Sequence, residues 1–337
     1  MGNTNDALNL FLKDDQEFAD LINLSIYHGE KVVRADDLSE AGEVIYTKDS
    51  DGKMHERRND VSKCCRNGDT YQIFCLENES KVSYIMPVRV LEYEAGRYME
   101  QIRRISASHK KKDYRDWNEL SSGFTREDRL HPVITLVLYW RREPWDGAKS
   151  ILEMLDLSES DKNSLTVFLQ DYRLNLINMY ELSGLESCDG QLKHVLKLLQ
   201  LDQDKNAIYT EVSENPEYRS LKPETGKVIA ALLGNERVSW SVEEQLKKKG
   251  DTVNMCKALD DLCADMESMG LEKGILKGIE QGIEQGLEQG IRIFILDNLE
   301  ENVPKERIVL KLQRRFDMDE KTADEYFQMY GDRKTVF

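Results

Sequence analysis

The stretch Tyr71–Ser80, YQIFCLENES, decides the fold, because it begins as a buried β-strand does and ends in two carboxylates. Its apolar residues 73–76 lead directly into Glu77 and Glu79. The pair Asn67-Gly68 separates this run from an earlier β-forming run, VSKCC, which is a strong local signal for a hairpin. The stretch therefore predicts the inner strand of a hairpin whose open end carries acids.

Asp60 and Glu77 are equally distant from the point between residues 68 and 69. In an antiparallel hairpin centred there, Asp60 lies directly opposite Glu77, with Cβ atoms about 5 Å apart. A loop centred one residue earlier shifts this pairing by two residues. Glu79 projects from the same face as Glu77 if the strand continues. We therefore expect the open end of the hairpin to gather Asp60, Glu77 and Glu79.

Carboxylates this close repel one another and are stable together only with protons, cations or basic partners. Clustered hard oxygen ligands suit Mg²⁺ or Mn²⁺, and Ca²⁺ takes the same ligand type. Such a metal activates water and stabilises charge on a phosphodiester. The alternative is a surface hairpin whose acids make ordinary contacts with Arg57, Arg58 or Lys81.

The rest of the chain predicts an α/β core followed by a mostly helical C-terminal half. Helical spacing covers residues 5–30 and 86–105, and the β-rich run 131–140 is typical of a strand buried on both faces. Further helices are expected over residues 147–157, 190–201, 221–234 and 241–269.

Glycine recurs at every fourth residue from Gly270 to Gly290, each time followed by Leu or Ile. This period excludes collagen, and the Glu, Gln and Lys of each repeat exclude a lipid-exposed span. The repeat therefore predicts a helix with adjacent rows of glycine and aliphatic residues. Such a helix would either associate with a second copy to form a homo-oligomer or act as a spacer between domains. Two or three short helices are expected after it. The expected domains are 1–150, 151–268, 269–293 and 294–337.

The net charge of the 337-residue chain is −16, which argues against a surface coated with basic residues for nucleic acid. Basic residues are nevertheless concentrated in 53–66 and 103–117. The six cysteines form no CxxC pair, which is typical of reduced thiols in a cytoplasmic protein. No apolar run approaches the ~20 residues that span a bilayer, so we expect no membrane partner.

Asp60, the hairpin and the triplet Glu77-Asn78-Glu79 resemble the motif of PD-(D/E)XK nucleases. The neighbouring sequence is more specific, because four segments together resemble the Rpn family of recombination-promoting nucleases, which are transposase-like proteins. Those segments are EFADLINLSIYHGEKV (17–32), ERRNDVSK (56–63), LENESKVSYIMPVRVLEYEAGRY (76–98) and PVITLVLYWRREPWDGAKSILEML (132–155). The repeat KGIEQGIEQGLEQG and the helical tail are also similar to that family, so the resemblance covers nearly the whole chain.

The resemblance implies a restriction-endonuclease-like core and Mg²⁺-dependent cleavage of DNA with low sequence specificity, linked to recombination or mobile elements. Asp60 matches the first acid of the motif and Glu77 the second. Glu79 departs from the pattern, since the superfamily has Lys there and this family usually has Gln. It would act as a general base or a further metal ligand, or it marks a catalytically lapsed copy that serves as a DNA-binding or oligomeric scaffold. A third possibility, suggested by the glycine-repeat helix, is a helical adaptor that binds only proteins.

Further candidates come from the surrounding helices and basic runs. Asp20 on the first helix is a possible third metal ligand or a plain surface charge. Arg89 and Tyr93 lie one helical turn apart and would reach a DNA phosphate, unless Arg89 pairs with Glu92 or an active-site acid. The remaining residues expected to contact nucleic acid, through charge, are Arg57, Arg58, Lys110, Lys111 and Lys112.

Overall fold

The structure is a computed structural model and describes residues 2–41, 44–48, 54–58, 60–68, 70–248 and 250–331. Its centre is a five-stranded mixed sheet in the order β1-β4-β5-β6-β7, and β2 and β3 form a separate hairpin. The strands are β1 (Leu38–Glu40), β2 (Val44–Lys48), β3 (Met54–Arg58), β4 (Val61–Asn67), β5 (Thr70–Glu79), β6 (Val133–Tyr139) and β7 (Asn175–Asn178). The α/β class predicted from the sequence is confirmed.

The register of the central hairpin is the one that places Asp60 beside Glu77. β4 and β5 are antiparallel, with Val61 opposite Leu76 and Asn67 opposite Thr70. Gly68 begins the turn with φ = 60°, a left-handed conformation that glycine adopts without strain. β5 also pairs in parallel with β6, so it is an interior strand with hydrogen-bonded neighbours on both sides.

Helices cover both faces of the sheet and make up most of the C-terminal half. On one face, Asn5 of the first helix donates to the carbonyl oxygen of Asn78. On the other face, Met86 and Val90 of the third helix pack against Val137. The helices that precede β6 are α1 (Gly2–Leu12), α2 (Asp15–Tyr27), α3 (Met86–Ser108) and α4 (Trp117–Ser122). Those that follow it are α5 (Ile151–Met154), α6 (Glu159–Leu165), α7 (Leu192–Gln200), α8 (Lys205–Glu214), α9 (Pro223–Leu233), α10 (Glu236–Lys247), α11 (Met255–Glu300), α12 (Lys305–Phe316) and α13 (Glu320–Gly331).

Two of the predicted helices are shorter or broken, and each difference has a non-local cause. The helix expected over 147–157 is a single turn, because Ser150 forms a β-bridge with Arg173. The helix expected over 241–269 is interrupted between α10 and α11, where Val253 bridges to Leu221.

The helix expected over 5–30 is also interrupted, in this case by a local cap. It is divided into α1 and α2 by Asp14, whose side chain accepts hydrogen bonds from Gln16 N and Glu17 N. An N-cap of this kind starts a new helix, so the apolar spacing continues across the break while the helix does not.

The chain divides into two compact units, residues 1–261 and 262–337. The second unit has its own core, formed where the end of α11 meets α12 and α13 around Ile295, Leu312 and Phe327. None of the helices among the described residues is both long and apolar enough to cross a bilayer. All six cysteines are free thiols.

Candidate active site

Asp60 lies immediately before β4 and is tied to the neighbouring strand. Its Oδ2 atom accepts a hydrogen bond of 2.7 Å from the backbone N–H of Asn78, and its Oδ1 atom accepts one of 3.2 Å from Asn9 Nδ2. Continuing the register by one pair beyond Val61–Leu76 sets Asp60 opposite Glu77. The predicted juxtaposition of the two acids along the hairpin is therefore present in the backbone, with the Asp60 carboxylate held against β5.

Glu77 and Glu79 project from one face of β5, and both form ion pairs with Arg89. The Arg89 guanidinium, from the first turns of α3, lies 2.8 Å from Glu77 Oε2 and also forms an ion pair with Glu79 Oε1. The Glu77 side chain is 3% exposed and that of Glu79 is 15% exposed. Of the alternatives stated for Arg89, pairing with the motif acids is the one that the structure shows.

Burial and charge act in opposite directions on this group. Burial raises the pKa of Glu79, the Arg89 charge opposes that rise, and the Asp60 carboxylate adds to it. Burial disfavours the charged guanidinium of Arg89, but Glu77 and Glu79 outweigh it and raise its pKa. Arg89 therefore stays protonated, and its buried Nε atom has no hydrogen-bond partner among the described residues.

Asn78, between the two glutamates, fixes the opposite face of the strand. Its Nδ2 atom donates to Asn9 Oδ1 at 2.7 Å, and its Oδ1 atom accepts from Trp140 Nε1 at 2.8 Å. Asn9 thus contacts both Asn78 and Asp60 and connects α1 to the motif. Sequence reasoning missed this role, and the available signal was a short polar side chain between the core residues Leu8 and Phe11 of one amphipathic helix.

Asp20 lies in a different set of contacts. Its carboxylate accepts hydrogen bonds from Gly190 N at 2.6 Å and from Gln16 Nε2 at 2.9 Å, and burial raises its pKa. A Cβ atom at Gly190 would approach Glu17 Oε2 to 2.6 Å, so the loop needs glycine there to pack against α2. Within the described ranges, no group of three or more Asp, Glu, His or Cys side chains is arranged to hold a metal, so neither Asp20 nor Glu79 completes such a group with Asp60 and Glu77.

Of the candidate nucleic-acid residues whose side chains the structure describes, Arg89 alone contacts the motif acids. Tyr93 is buried, with 7% of its surface exposed, and offers little area to a phosphate. Lys110–Lys112 are exposed beyond the C-terminal end of α3, about 30 Å along the helix from Arg89. Arg57 and Arg58 lie on β3, and their side chains fall outside the described part of the chain.

No family model, curated protein or solved structure matches the chain. The resemblance to recombination-promoting nucleases therefore stays a prediction, and the site is judged by its own chemistry.

The donor chemistry of the motif fits a hard divalent cation. Mg²⁺ typically takes one or two protein carboxylates and fills its other positions with water and substrate phosphate, so it does not need three converging acids. Asp60 and Glu77 supply two such carboxylates at the end of one hairpin. Three acids and one arginine also leave the group with a net negative charge, which favours a further cation.

Proposed function

We propose that the protein is a metal-dependent DNA endonuclease of low sequence specificity, acting in the cytoplasm in recombination or on mobile elements. The observation that carries the proposal is the register of the β4–β5 hairpin, which sets Asp60 beside Glu77 at the end of an interior strand. Glu79, on the same face, is the third acid of the site.

The order of elements supports a restriction-endonuclease-like core. An antiparallel β1-β4-β5 group is followed by α3 across one face and then by β6, which joins β5 in parallel. Helices α1 and α2 cover the other face, where Lys63 of β4 donates to the carbonyl oxygen of Lys13. The acids lie where β5 ends and the chain turns into α3.

In this proposal Asp60 and Glu77 would hold Mg²⁺, with Mn²⁺ or Ca²⁺ as possible substitutes. The bound ion would supply Lewis acidity toward the scissile phosphate and its attacking water. Glu79 would accept the proton of that water as its oxygen bonds to phosphorus and the P–O bond of the leaving group breaks. Arg89 would keep Glu77 and Glu79 oriented and would neutralise part of the charge that repels DNA.

A second candidate function is a catalytically lapsed, DNA-binding scaffold. The observation that favours it is the position of Arg89, whose one guanidinium already forms ion pairs with both Glu77 and Glu79. A permanent organic cation there would take the place of a metal in stabilising the acids. This candidate predicts that DNA is retained without cleavage in any divalent metal, and that Glu79→Gln restores cleavage.

The test is nicking of supercoiled plasmid by the purified full chain in Mg²⁺, in comparison with Asp60→Asn and Glu77→Gln. Both substitutions keep a hydrogen-bond acceptor and remove one charge, so we expect folded proteins with cleavage reduced by about 10²-fold or more. Asp36→Asn is the matched control, since it removes an exposed carboxylate after α2. Equal nicking by all four proteins would identify a contaminant and refute the assignment.

We also propose that the glycine-repeat helix pairs with a second copy of the chain. The aliphatic residues of the repeat from Leu271 to Leu287 are between 46% and 67% exposed, and a Cβ atom added at Gly274, Gly278, Gly282 or Gly286 would meet nothing within 4 Å. An antiparallel pair centred between residues 280 and 281 sets each of these glycines opposite an aliphatic residue of the second copy.

The charges of the repeat favour this antiparallel arrangement. It places Lys277 opposite Glu284 and Lys273 opposite Glu288, whereas a parallel pair in register would oppose like charges. Glu288 also accepts a hydrogen bond from Tyr330 of its own chain.

A charge exchange tests the pairing by sedimentation velocity. We expect Lys277→Glu to weaken dimerisation about three- to tenfold and Lys277→Glu/Glu284→Lys to restore it. A double variant as weak as the single one would refute the antiparallel register.

A further inference from the structure

A second polar groove lies at the far end of α3 from the acids. It encloses about 590 Å³ between the β4–β5 turn, the C-terminal part of α3 and the start of β6. We call it the Tyr71 groove. Its polar and aromatic lining residues are Arg66, Tyr71, Gln101, Arg104 and His131.

The charge of the Tyr71 groove is opposite to that of the whole chain. Arg66 and Arg104 line it, while no acidic side chain among the described residues does so. Arg104 pairs with Glu100 one turn back on α3, an exposed i, i+4 contact that a phosphate can replace at small cost. On a protein of net charge −16, a groove whose described lining is basic, polar and apolar is a local site for an anion.

The aromatic side chains of the Tyr71 groove are fixed in place. The Tyr71 hydroxyl donates to Cys64 Sγ at 2.7 Å, and burial together with this contact raises its pKa to about 12, so the ring carries no charge near neutral pH. The His131 ring lies 4.5 Å from the Tyr71 ring, centroid to centroid. Gln101 holds the His131 backbone through two hydrogen bonds, of 2.8 and 3.1 Å. A planar ligand would therefore meet a preorganised surface.

Arg66 adds a cation beside the same ring. Its guanidinium lies 5.9 Å from the centroid of Tyr71, so charge and aromatic surface are presented together. Alternation of arginine with aromatic rings is the combination that binds single-stranded nucleic acid, in which phosphates need cations and unpaired bases need π-faces.

From these observations we infer that the Tyr71 groove binds a single-stranded segment of nucleic acid, with phosphates at Arg66 and Arg104 and a base against Tyr71 and His131. Tyr71 lies on the same face of β5 as Glu77 and six residues before it, or about 20 Å along the strand. The inference rests on the proposed function, because the bound strand would be part of the DNA that the enzyme cleaves. The groove would hold that strand at a distance from the cleaved bond.

The experiment is fluorescence anisotropy of the full chain with a labelled oligothymidylate of about 20 nucleotides and with a duplex of equal length. It is carried out in EDTA, so that binding is measured without cleavage. We expect Arg66→Gln/Arg104→Gln to weaken binding of the single strand at least about tenfold and to lower its salt slope by about 1.4. Tyr71→Leu should weaken single-strand binding about fivefold or more and leave duplex binding unchanged, while Tyr71→Phe should bind as the wild type does.

The control variant is Arg115→Gln/Arg173→Gln, which removes the same charge from two exposed arginines outside the groove. Single-strand binding by Arg66→Gln/Arg104→Gln equal to that of this control would overturn the inference, as would equal losses for single strand and duplex. Wild-type protein that binds neither oligonucleotide would overturn it as well. Binding in EDTA is measured without cleavage, and nicking is measured separately in Mg²⁺, so failure of the nuclease proposal and failure of this inference are distinguished.

Discussion

Replacing Arg89 by methionine tests whether the site is organised by charge. The substitution keeps most of the apolar stem and removes the cation that Glu77 and Glu79 share. Glu77, whose side chain is 3% exposed, then loses its ion pair with Arg89. Breaking a buried pair by removing one partner typically costs about 3–5 kcal/mol. Because Arg89 is itself 26% exposed, we expect a loss near the lower end, about 3 kcal/mol.

The pH dependence of this loss has a definite sign. Without Arg89, burial and the Asp60 charge raise the folded-state pKa of Glu79 further above its unfolded value, so the native state binds more protons than the unfolded state. The free energy of unfolding of Arg89→Met should therefore increase as the pH falls through this raised pKa. The deficit relative to wild type should be largest near neutral pH and smaller near about pH 5.

Urea unfolding followed by tryptophan fluorescence measures both the loss of stability and its pH dependence. The same assay in Mg²⁺ tests whether the acids bind the ion. If the acids bind the ion, millimolar Mg²⁺ should stabilise Arg89→Met more than wild type, because no guanidinium competes for the carboxylates. Arg141→Met is the matched control, since Arg141 pairs with Glu143 on the surface and its loss should cost under about 1 kcal/mol. A loss for Arg89→Met no larger than that of the control, at every pH, would refute the charge-organised site.

Three further predictions concern the surrounding structure. Burial lowers the pKa of His194 although Glu217 opposes it, so the native state binds fewer protons and wild-type stability should fall as the pH drops below about 6.5. His194→Gln should flatten that slope in urea unfolding between about pH 5.5 and 7.5, and an unchanged slope would exclude His194 as its origin. Lys63→Met removes a buried ammonium that donates to the Lys13 carbonyl oxygen at 2.6 Å, so the urea midpoint should drop by the equivalent of about 1–3 kcal/mol. Leu312→Ala opens a cavity in the second unit and should lower its unfolding free energy by about 2–5 kcal/mol, with the calorimetric transition of residues 1–261 unmoved.

The hairpin was predictable from the sequence because its determinants are local. A β-forming run on each side, a glycine with positive φ in the turn, and acids equidistant from that turn specify both the strands and the Asp60–Glu77 register. The helix α3 and the strand β6 were predictable for the same reason, since their apolar periods are long and uninterrupted.

What the sequence did not predict depends on contacts between distant residues. The bridges Ser150–Arg173 and Leu221–Val253 replace helical hydrogen bonds by β-type ones. No local sequence pattern predicts a partner that lies 23 or 32 residues away along the chain. Asn9 likewise reaches Asp60 only because α1 crosses the end of the hairpin. Such contacts override propensity where the tertiary fold supplies a better hydrogen-bond partner.

The same distinction bears on Glu79, the residue where the motif departs from the nuclease pattern. From the sequence, a glutamate in the place of lysine or glutamine only adds negative charge beside Glu77. In the structure the guanidinium of Arg89 spans both acids, so a positive group still stands next to the motif, carried by α3 instead of β5. Arg89 and Glu79 together thus reproduce the charge balance that a neutral glutamine at residue 79 would give. Glu79→Gln and Arg89→Met should therefore act in opposite directions on the charge of the site, and a double variant with the wild-type balance should recover the stability that Arg89→Met loses, at least in part.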